Sequence, residues 1–172
     1  MQTTEAMKLR KSTRDFTDRQ ISNEDVKKIV QAALYAPVGM KKFSELKITV
    51  IQNKALLARI DRECRRDPSV SPLHNVPTLI LVSSSTENEA LANQNVACLV
   101  DHMLLAATDL GLANLYIKGV CPFLSKNEAL LRELNIPEGF TPLASAAVGY
   151  AFIEPEKREK PLNEVTVVEY IQ

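Results

Sequence analysis

The stretch Thr78-Leu79-Ile80-Leu81-Val82-Ser83 decides the fold of this chain, because four consecutive large apolar residues stand in it without a polar interruption. A half-exposed strand would alternate apolar and polar positions, so the continuous run predicts a strand that is covered on both faces. A proline precedes the run and a cluster of serines follows it. We therefore expect this strand to lie in the middle of a sheet.

A second apolar segment predicts the longest helix of the chain, over about residues 88–111. Between positions 96 and 112 this segment is apolar nearly all round, which is the pattern of a helix buried in the interior. Gly111 is a suitable residue to end the helix, because glycine readily adopts the left-handed conformation found at many helix C-termini.

The remaining elements follow from capping residues and from the spacing of apolar side chains. Helices are predicted from residue 4 to about 10 or 11, after Ser22 as far as Pro37, from Asn53 to about 65, and from the capping box Ser125-x-x-Glu128 to about 134. Strands are predicted over 46–51, 115–117 and 144–150. A last β-branched run, 165–168, has no obvious local partner, so we expect it to add to another sheet, with a second subunit as a candidate.

The composition is that of an ordinary globular protein with a single domain, which we assign to residues 1–172. Hydrophobic residues make up 45% of the chain and charged residues 24%, and 21 Lys and Arg balance 21 Asp and Glu. This neutral balance argues against general binding to nucleic acid or to an anionic membrane. The charged N-terminus lacks the apolar core of a signal peptide and no run is long enough to cross a bilayer, so we expect a cytoplasmic protein. Three cysteines without Cys-x-x-Cys spacing fit reduced thiols better than a disulfide framework or a zinc site.

The best clue to function is the segment Arg10-Lys11-Ser12-Thr13-Arg14-Asp15-Phe16, called the basic segment below. It places three cations and two hydroxyls within five positions, and donors of these types suit a phosphate group or a polar sugar chain. A second reading stands beside this one on spacing alone. Lys and Arg also gather at helix C-termini, where they complement the helix dipole and bond free carbonyls.

Several other chemistries lack their motifs. The five glycines never form Gly-x-Gly, so the chain has neither a dinucleotide fingerprint nor a P-loop, and no Gly-x-Ser-x-Gly supports a hydrolase. His102 lies on the apolar helix, where a core imidazole is favoured over a ligand or a base. Cys121 could act as a reactive thiol, but a buried structural cysteine is favoured. We therefore assign no catalytic side chain and no metal ligand.

Four motifs follow one another along the chain in a particular order. The basic segment reads Arg-x-Ser-x-Arg followed by an aromatic residue, and an amphipathic helix is then closed by Ala36-Pro37-Val38-Gly39. A buried helix ends in Leu-Gly-Leu and leads to a short strand with glycine, Ile117-Lys118-Gly119, and Gly149-Tyr150 precedes a basic tail at 157–160. In this order the motifs resemble the nitroreductase family of FMN-dependent oxidoreductases, and the resemblance covers nearly the whole chain.

The resemblance implies an α+β fold with a mixed, largely antiparallel sheet surrounded by helices, and a C-terminal strand exchanged in an intertwined homodimer. It implies FMN in clefts at the subunit interface, reduced by NAD(P)H and reoxidised by an electron-poor acceptor such as a nitroaromatic or a quinone in a ping-pong mechanism. The implied FMN contacts are Arg10, Lys11, Ser12 and Arg14 at the phosphate, ribityl chain and pyrimidine edge, Pro37, Val38, Gly39, Met40 and Lys41 from the other subunit, Ile117, Lys118 and Gly119 near N5, and Arg158 and Lys160 over the phosphate.

Some positions depart from the family pattern. Lys41 stands where many members have an asparagine that bonds the flavin ring, and it could either stabilise the negative charge of reduced flavin or point to solvent. Glu159 stands at the basic tail position two residues before the proline, so the phosphate contact could shift to a neighbour. The chain is also short for the family, which predicts that a helical excursion over the substrate pocket is missing. The alternatives are a flavoenzyme of the same fold that does not use NAD(P)H directly, such as a dehydrogenase or dehalogenase, and a non-enzymatic FMN-binding redox sensor.

Overall fold

A four-stranded sheet forms the centre of the protein in the computed structural model, which describes residues 2–154, 156–158 and 166–171. The strands are β1 (Leu46–Ile51), β2 (Thr78–Ser84), β3 (Ala113–Ile117) and β4 (Thr141–Gly149), in the spatial order β1-β2-β4-β3. All three neighbouring pairs are antiparallel. β2 lies inside the sheet and all seven of its residues are buried, which confirms the prediction made from the apolar run.

Six α-helices surround this sheet within the described residues. They are α1 (Thr3–Leu9), α2 (Asn23–Ala33), α3 (Lys54–Glu63), α4 (Glu89–Asp109), α5 (Cys121–Leu124) and α6 (Glu128–Glu133). The alternation of side chains along β2 separates two cores, since Leu79 and Leu81 face one side of the sheet and Ile80 and Val82 face the other. The first core packs against α3, α5 and α6, and the second packs against α2 and α4. The architecture is the α+β arrangement that the resemblance implies.

Capping bonds explain where the main helices begin and end. The Ser22 hydroxyl accepts the Asp25 N–H at 3.0 Å at the start of α2, and Asn53 and Asn88 cap α3 and α4 in the same way. Gly111 follows α4 with φ at +74°, and the amides of residues 111 and 112 donate to the carbonyls of residues 108 and 107. These two bonds form a Schellman motif, so the predicted role of Gly111 is confirmed.

The start of α6 differs from the sequence prediction. A short helix that the sequence analysis did not identify, α5, precedes it, and Ser125 lies at the end of α5. Asn127 caps α6 instead, with its Oδ1 accepting the Leu130 N–H at 3.1 Å. Both residue types cap helices well, but the position of α5 leaves Asn127 next to the free amides of α6, so the predicted capping box at Ser125 is wrong.

The described part of the predicted C-terminal strand, residues 166–168, does not form a strand in the single chain. Residue 165 lies outside the described residues, and residues 166–171 have no strand pairing. Apolar side chains of this tail, including Val167 and Ile171, are exposed. A strand needs a neighbour for its hydrogen bonds, so its exchange into a second subunit stays a prediction.

Candidate functional site

The basic segment is extended and lies beside the start of β3. α1 ends at Leu9, so only Arg10 takes part in the end of that helix, through its N–H to the carbonyl of Ala6. Ser12 forms a parallel bridge with Asn114, and the Thr13 N–H donates to the Asn114 carbonyl at 2.9 Å. The four strands pair only in antiparallel fashion, and this bridge adds a parallel contact at the edge of the sheet. Backbone bonds to β3 therefore hold the segment in place, and its cations are left for other contacts.

The charged side chains of the basic segment have no acidic partner close by. Within the described part of the chain, no carboxylate forms an ion pair with Arg10, Lys11 or Arg14, although ion pairs are frequent elsewhere, as between Arg59 and Glu63. Lys11, Ser12 and Arg14 are exposed and Arg10 is half-buried. A group of unpaired cations on a rigid backbone is suited to bind an anion from solution.

Asn114 fixes the point at which the basic segment meets β3. Its side chain is buried, and its Nδ2 donates to the carbonyl of Leu104 at 3.1 Å and to the hydroxyl of Thr108 at 2.9 Å, with a longer bond to the carbonyl of Leu112. These bonds join the end of α4 to the beginning of β3. Asn114 was not predicted from the sequence. The only available signal was a polar amide inside a short apolar strand.

Arg158, in the described part of the basic tail, approaches the same region. The Arg158 N–H donates to the carbonyl of Lys8 at 3.2 Å, and the Arg158 guanidinium donates to the carbonyls of Met7 and Arg10. The arginine thereby satisfies carbonyl groups that are left free at the end of α1. Arg158 is brought next to the basic segment, whereas the predicted contact Lys160 lies outside the described residues.

Residues 37–41 form a tight turn after α2, called the 37–41 turn below. Met40 and Lys41 both adopt left-handed backbone conformations, with φ at +56° and +55°, which non-glycine residues rarely do. Met40 is 79% exposed and Lys41 is also exposed, so in the single chain the Lys41 ammonium points to solvent. Gly39 lies against α4, where its N–H donates to Oδ1 of Asn95 at 2.8 Å.

The end of β3 leaves space beside its backbone. Ile117 is buried and its carbonyl accepts the Ser145 hydroxyl at 2.9 Å, which ties this end of β3 to β4. Lys118 is exposed, and its Nζ lies 3.4 Å from Oδ1 of Asn93 on α4. A Cβ added to Gly119 would meet no atom within 4 Å. The backbone at this glycine is therefore open on the side where a side chain would stand.

Within one chain, the basic segment and residues 117–119 lie at the two ends of β3, whereas the 37–41 turn lies on a different side of α4 from Lys118. Ser12 and Lys118 lie at opposite ends of β3, about 13 Å apart for four residues of strand. The 37–41 turn contacts residue 95 of α4 and Lys118 contacts residue 93. Residues two apart on a helix point in nearly opposite directions, so the turn and Lys118 lie on different sides of α4.

Neither a membrane span nor a metal site is found in the described ranges. None of their helices combines the length and the apolar character that a membrane span requires, and no three His, Cys, Asp or Glu side chains are grouped to bind a metal. His102 bonds the carbonyl of Cys98 through Nδ1 at 2.9 Å, as a satisfied helix imidazole does. Burial raises the pKa of the Cys121 thiol to about 12, so this cysteine is a structural residue and not a reactive thiolate.

Comparison with known proteins agrees with the resemblance inferred from the motifs. A model of the nitroreductase family matches residues 7–72, a range that includes the basic segment and the 37–41 turn. A proposed NADH dehydrogenase/NAD(P)H nitroreductase from Methanothermobacter thermautotrophicus is 28% identical over 166 residues, which cover 92% of this chain and 82% of the relative.

Solved structures extend this agreement to the fold. A nitroreductase with bound FMN from Bacteroides fragilis NCTC 9343 is 26% identical, with a TM-score of 0.83 and coverage of 98% of this chain and 100% of that one. A nitroreductase with bound FMN from Desulfitobacterium hafniense DCB-2 is 25% identical, also with a TM-score of 0.83, and the match covers 97% of this chain and 98% of that one. The resemblance in sequence and in fold is thereby confirmed.

Proposed function

We propose that this chain, which has the fold of the nitroreductases, is an FMN-dependent oxidoreductase that takes a hydride from NAD(P)H and reduces an electron-poor acceptor. The observation that carries the proposal is the basic segment, held by backbone bonds beside β3 with its cations free of carboxylates in the described structure. Gly119 lies two residues beyond the other end of β3. The open space beside its backbone supports the approach of a planar ring.

The residues present fit FMN by their chemistry. A phosphate monoester needs charged donors, and because the chain has no glycine-rich cradle, Arg10, Lys11 and Arg14 would supply them, with Ser12 as a hydroxyl donor. Bound FMN supplies the chemistry of hydride transfer. Arg158, docked on the end of α1, would add positive charge beside the phosphate, and Lys160 is proposed for the same role.

The other end of β3 would hold the flavin ring. Residues 117–119 would present backbone groups along the ring near N5, and the open space at Gly119 would accept its plane. Lys118 carries a positive charge at this end and is exposed. These residues bind and orient the reactants, and no acid or base side chain is assigned to the reaction.

The site is proposed to be completed by a second copy of the chain. The 37–41 turn lies on the other side of α4 from Lys118, so a flavin that touches both would lie between two subunits. An apolar groove of about 230 Å³ lies beside this turn. It is lined by Val30, Ala33, Leu34, Val38, Phe43, Leu46, Ile48 and Leu99. Together with the exposed apolar tail, this surface supports an intertwined homodimer with an exchanged C-terminal strand.

The kinetic scheme and the location follow the family. NAD(P)H and the acceptor, for which nitroaromatics and quinones are proposed, would use the same pocket in turn, as a ping-pong mechanism requires. The single domain is proposed to span residues 1–172 and the protein to be cytoplasmic, where its three free cysteines would stay reduced.

The proposal is tested first by the colour and spectrum of the purified protein. We expect a yellow protein with the absorbance of bound FMN, and a colourless protein that does not take up added FMN would refute the function. Arg10→Ala should weaken FMN binding by more than about 1 kcal/mol, because a charge-assisted contact is lost. Arg132→Ala, which removes an exposed arginine on α6, is the matched control and should leave FMN affinity unchanged. Equal affinity in both variants would show that Arg10 only ends α1 and does not hold the cofactor.

Reduction of the flavin separates the alternatives. On anaerobic mixing with NADH or NADPH, the reductase should lose its flavin absorbance rapidly, and an electron acceptor should restore it. Reduction by neither nicotinamide would favour a flavoenzyme that takes electrons from another substrate. Stoichiometric FMN without turnover of any acceptor would favour a redox sensor, for which Lys41 and Phe43 in place of the usual polar ring contacts are the motivating feature.

A further inference from the structure

Asn95 connects the buried helix α4 to the 37–41 turn. It lies in the second turn of α4 and is only 3% exposed. Its Oδ1 accepts the Gly39 N–H at 2.8 Å, a bond between residues 56 positions apart in the chain. Its Nδ2 has no partner among the described residues, although it is buried. A buried amide with an unpaired N–H is costly, so packing alone does not explain why an asparagine occupies this position.

The turn that Asn95 holds is strained, and its own backbone bonds are long. Left-handed conformations at non-glycine residues such as Met40 and Lys41 are costly and persist only where the surroundings impose them. Two bonds within the turn are long, Lys41 N–H to the carbonyl of Val38 at 3.2 Å and Lys42 N–H to the carbonyl of Gly39 at 3.4 Å. The shorter bond from Gly39 to Asn95 ties the turn to a rigid element.

Packing of Gly39 against α4 depends on the same contact. A Cβ on this residue would lie 2.6 Å from Cδ1 of Leu91 and 3.4 Å from Oδ1 of Asn95. The backbone of Gly39 therefore lies close to the helix, and a larger residue would displace the end of the Leu91 side chain, although its φ lies outside the left-handed region. Leu91 and Asn95 are one turn apart on the same face of α4, and the backbone of Gly39 packs against both side chains.

We infer that Asn95 is a positioning residue for flavin binding, which fixes Gly39 on α4 and thereby sets the strained turn that reaches the flavin of the second subunit. The inference rests on the proposed function and names a residue outside the predicted contacts. Asn95 orients its oxygen toward Gly39, because a backbone N–H can only donate. Both N–H groups of its Nδ2 are then available to a group outside the described residues.

The test compares two variants of Asn95 with a control of similar stability. Asn95→Leu keeps the size of the side chain and removes the acceptor, whereas Asn95→Asp retains an oxygen for the Gly39 N–H. Asn127→Ala, which removes the amide cap of α6 on the opposite side of the sheet, is the matched control. Hydrogen exchange of the peptide around residues 37–42 reports the turn without any flavin, and titration with FMN reports the affinity.

We expect Asn95→Leu to speed exchange in this peptide and to weaken FMN binding about tenfold or more, with Asn95→Asp recovering most of both. Asn127→Ala should change neither. Unchanged exchange in Asn95→Leu would overturn the inference, and so would faster exchange with unchanged FMN affinity.

If the unaltered protein binds no FMN, the proposed function fails and the flavin role of Asn95 fails with it, while the exchange data still decide whether Asn95 holds the turn. If Asn95→Leu does not fold, Asn95→Asp decides, since loss of FMN binding in that variant despite a protected turn would contradict positioning.

Discussion

Replacing Gly149 with alanine should destabilise the protein, because the backbone of β4 passes close to two rigid neighbours at this residue. An added Cβ would lie 2.8 Å from both Cγ and Cδ of Pro77 and 3.1 Å from Cδ1 of Phe16. Carbon atoms in contact normally lie about 3.5–4.0 Å apart, so the overlap with the proline ring is about 0.7–1.2 Å. Neither neighbour can move away easily, since the ring of Pro77 is closed onto its own backbone and Phe16 is buried in the core.

The expected loss follows from two opposing contributions. Overpacking of this kind costs about 1–3 kcal/mol, and the smaller conformational freedom of alanine in the unfolded chain returns about 0.4–1 kcal/mol. The free energy of unfolding should therefore fall by about 1–2 kcal/mol. For a chain of this length each kcal/mol corresponds to about 2–4 °C, so the melting temperature should fall by about 2–8 °C. Urea unfolding of the flavin-free protein, followed by circular dichroism, measures the free energy directly.

Two further variants make this test specific. Gly119→Ala is the matched control, because its Cβ meets no atom within 4 Å and its φ lies outside the left-handed region, so stability should be unchanged or slightly higher. Pro77→Ala in the Gly149→Ala background should recover part of the loss by removing the ring carbons. A Gly149→Ala protein as stable as the parent would refute the claim that Pro77 and Phe16 are fixed against β4. The packing of Phe16, the last residue of the basic segment, against β4 would then lose its support.

Three further changes test other parts of the structure. Asn114→Ala should lower the free energy of unfolding in urea by about 2–3 kcal/mol, because a buried amide with three acceptors is lost; a loss below about 0.5 kcal/mol would contradict this role. Arg14→Gln should raise the pKa of His74 in an NMR titration, because burial and then the charge of Arg14 hold that pKa below its usual value. An unchanged pKa would show that the charge of Arg14 does not act on His74. Since the folded state favours neutral His74, its stabilising contribution is present above about pH 6.5 and is lost as the pH falls below it, less steeply in Arg14→Gln. The thiols of Cys64 and Cys121, whose pKa values burial raises to about 11 and about 12, should react with a thiol reagent only as fast as the protein unfolds, and immediate labelling of either would contradict their burial.

The elements with strong local signals could be predicted from the sequence. β1 has the predicted limits, and β2 and α4 lie within one or two residues of theirs, because a buried strand and a buried helix must show their burial in composition. The caps at Ser22 and Asn53 were also visible, since these bonds join residues three apart. For the same reason the basic segment could be identified before its position beside β3 was known.

Contacts between distant residues could not be predicted in this way. The bond from the Gly39 N–H to Oδ1 of Asn95 and the bridge between Ser12 and Asn114 join positions that only the tertiary fold brings together, and neither asparagine stands in a recognisable motif. α5 is a single turn, too short to show periodicity. The terminal run 165–168 was predicted as a strand from its β-branched residues, but hydrogen bonding to a neighbour decides whether it forms one.

The bridge between Ser12 and Asn114 has a consequence for the solubility of the protein. β3 is the last strand on its side of the sheet, and without the basic segment its outer row of amide and carbonyl groups would be open to pairing with another molecule. The segment covers part of that row, and its like charges repel an approaching strand. Removal of the first sixteen residues would therefore expose an aggregation-prone edge in addition to weakening the proposed cofactor site, so loss of cofactor and loss of soluble protein would occur together.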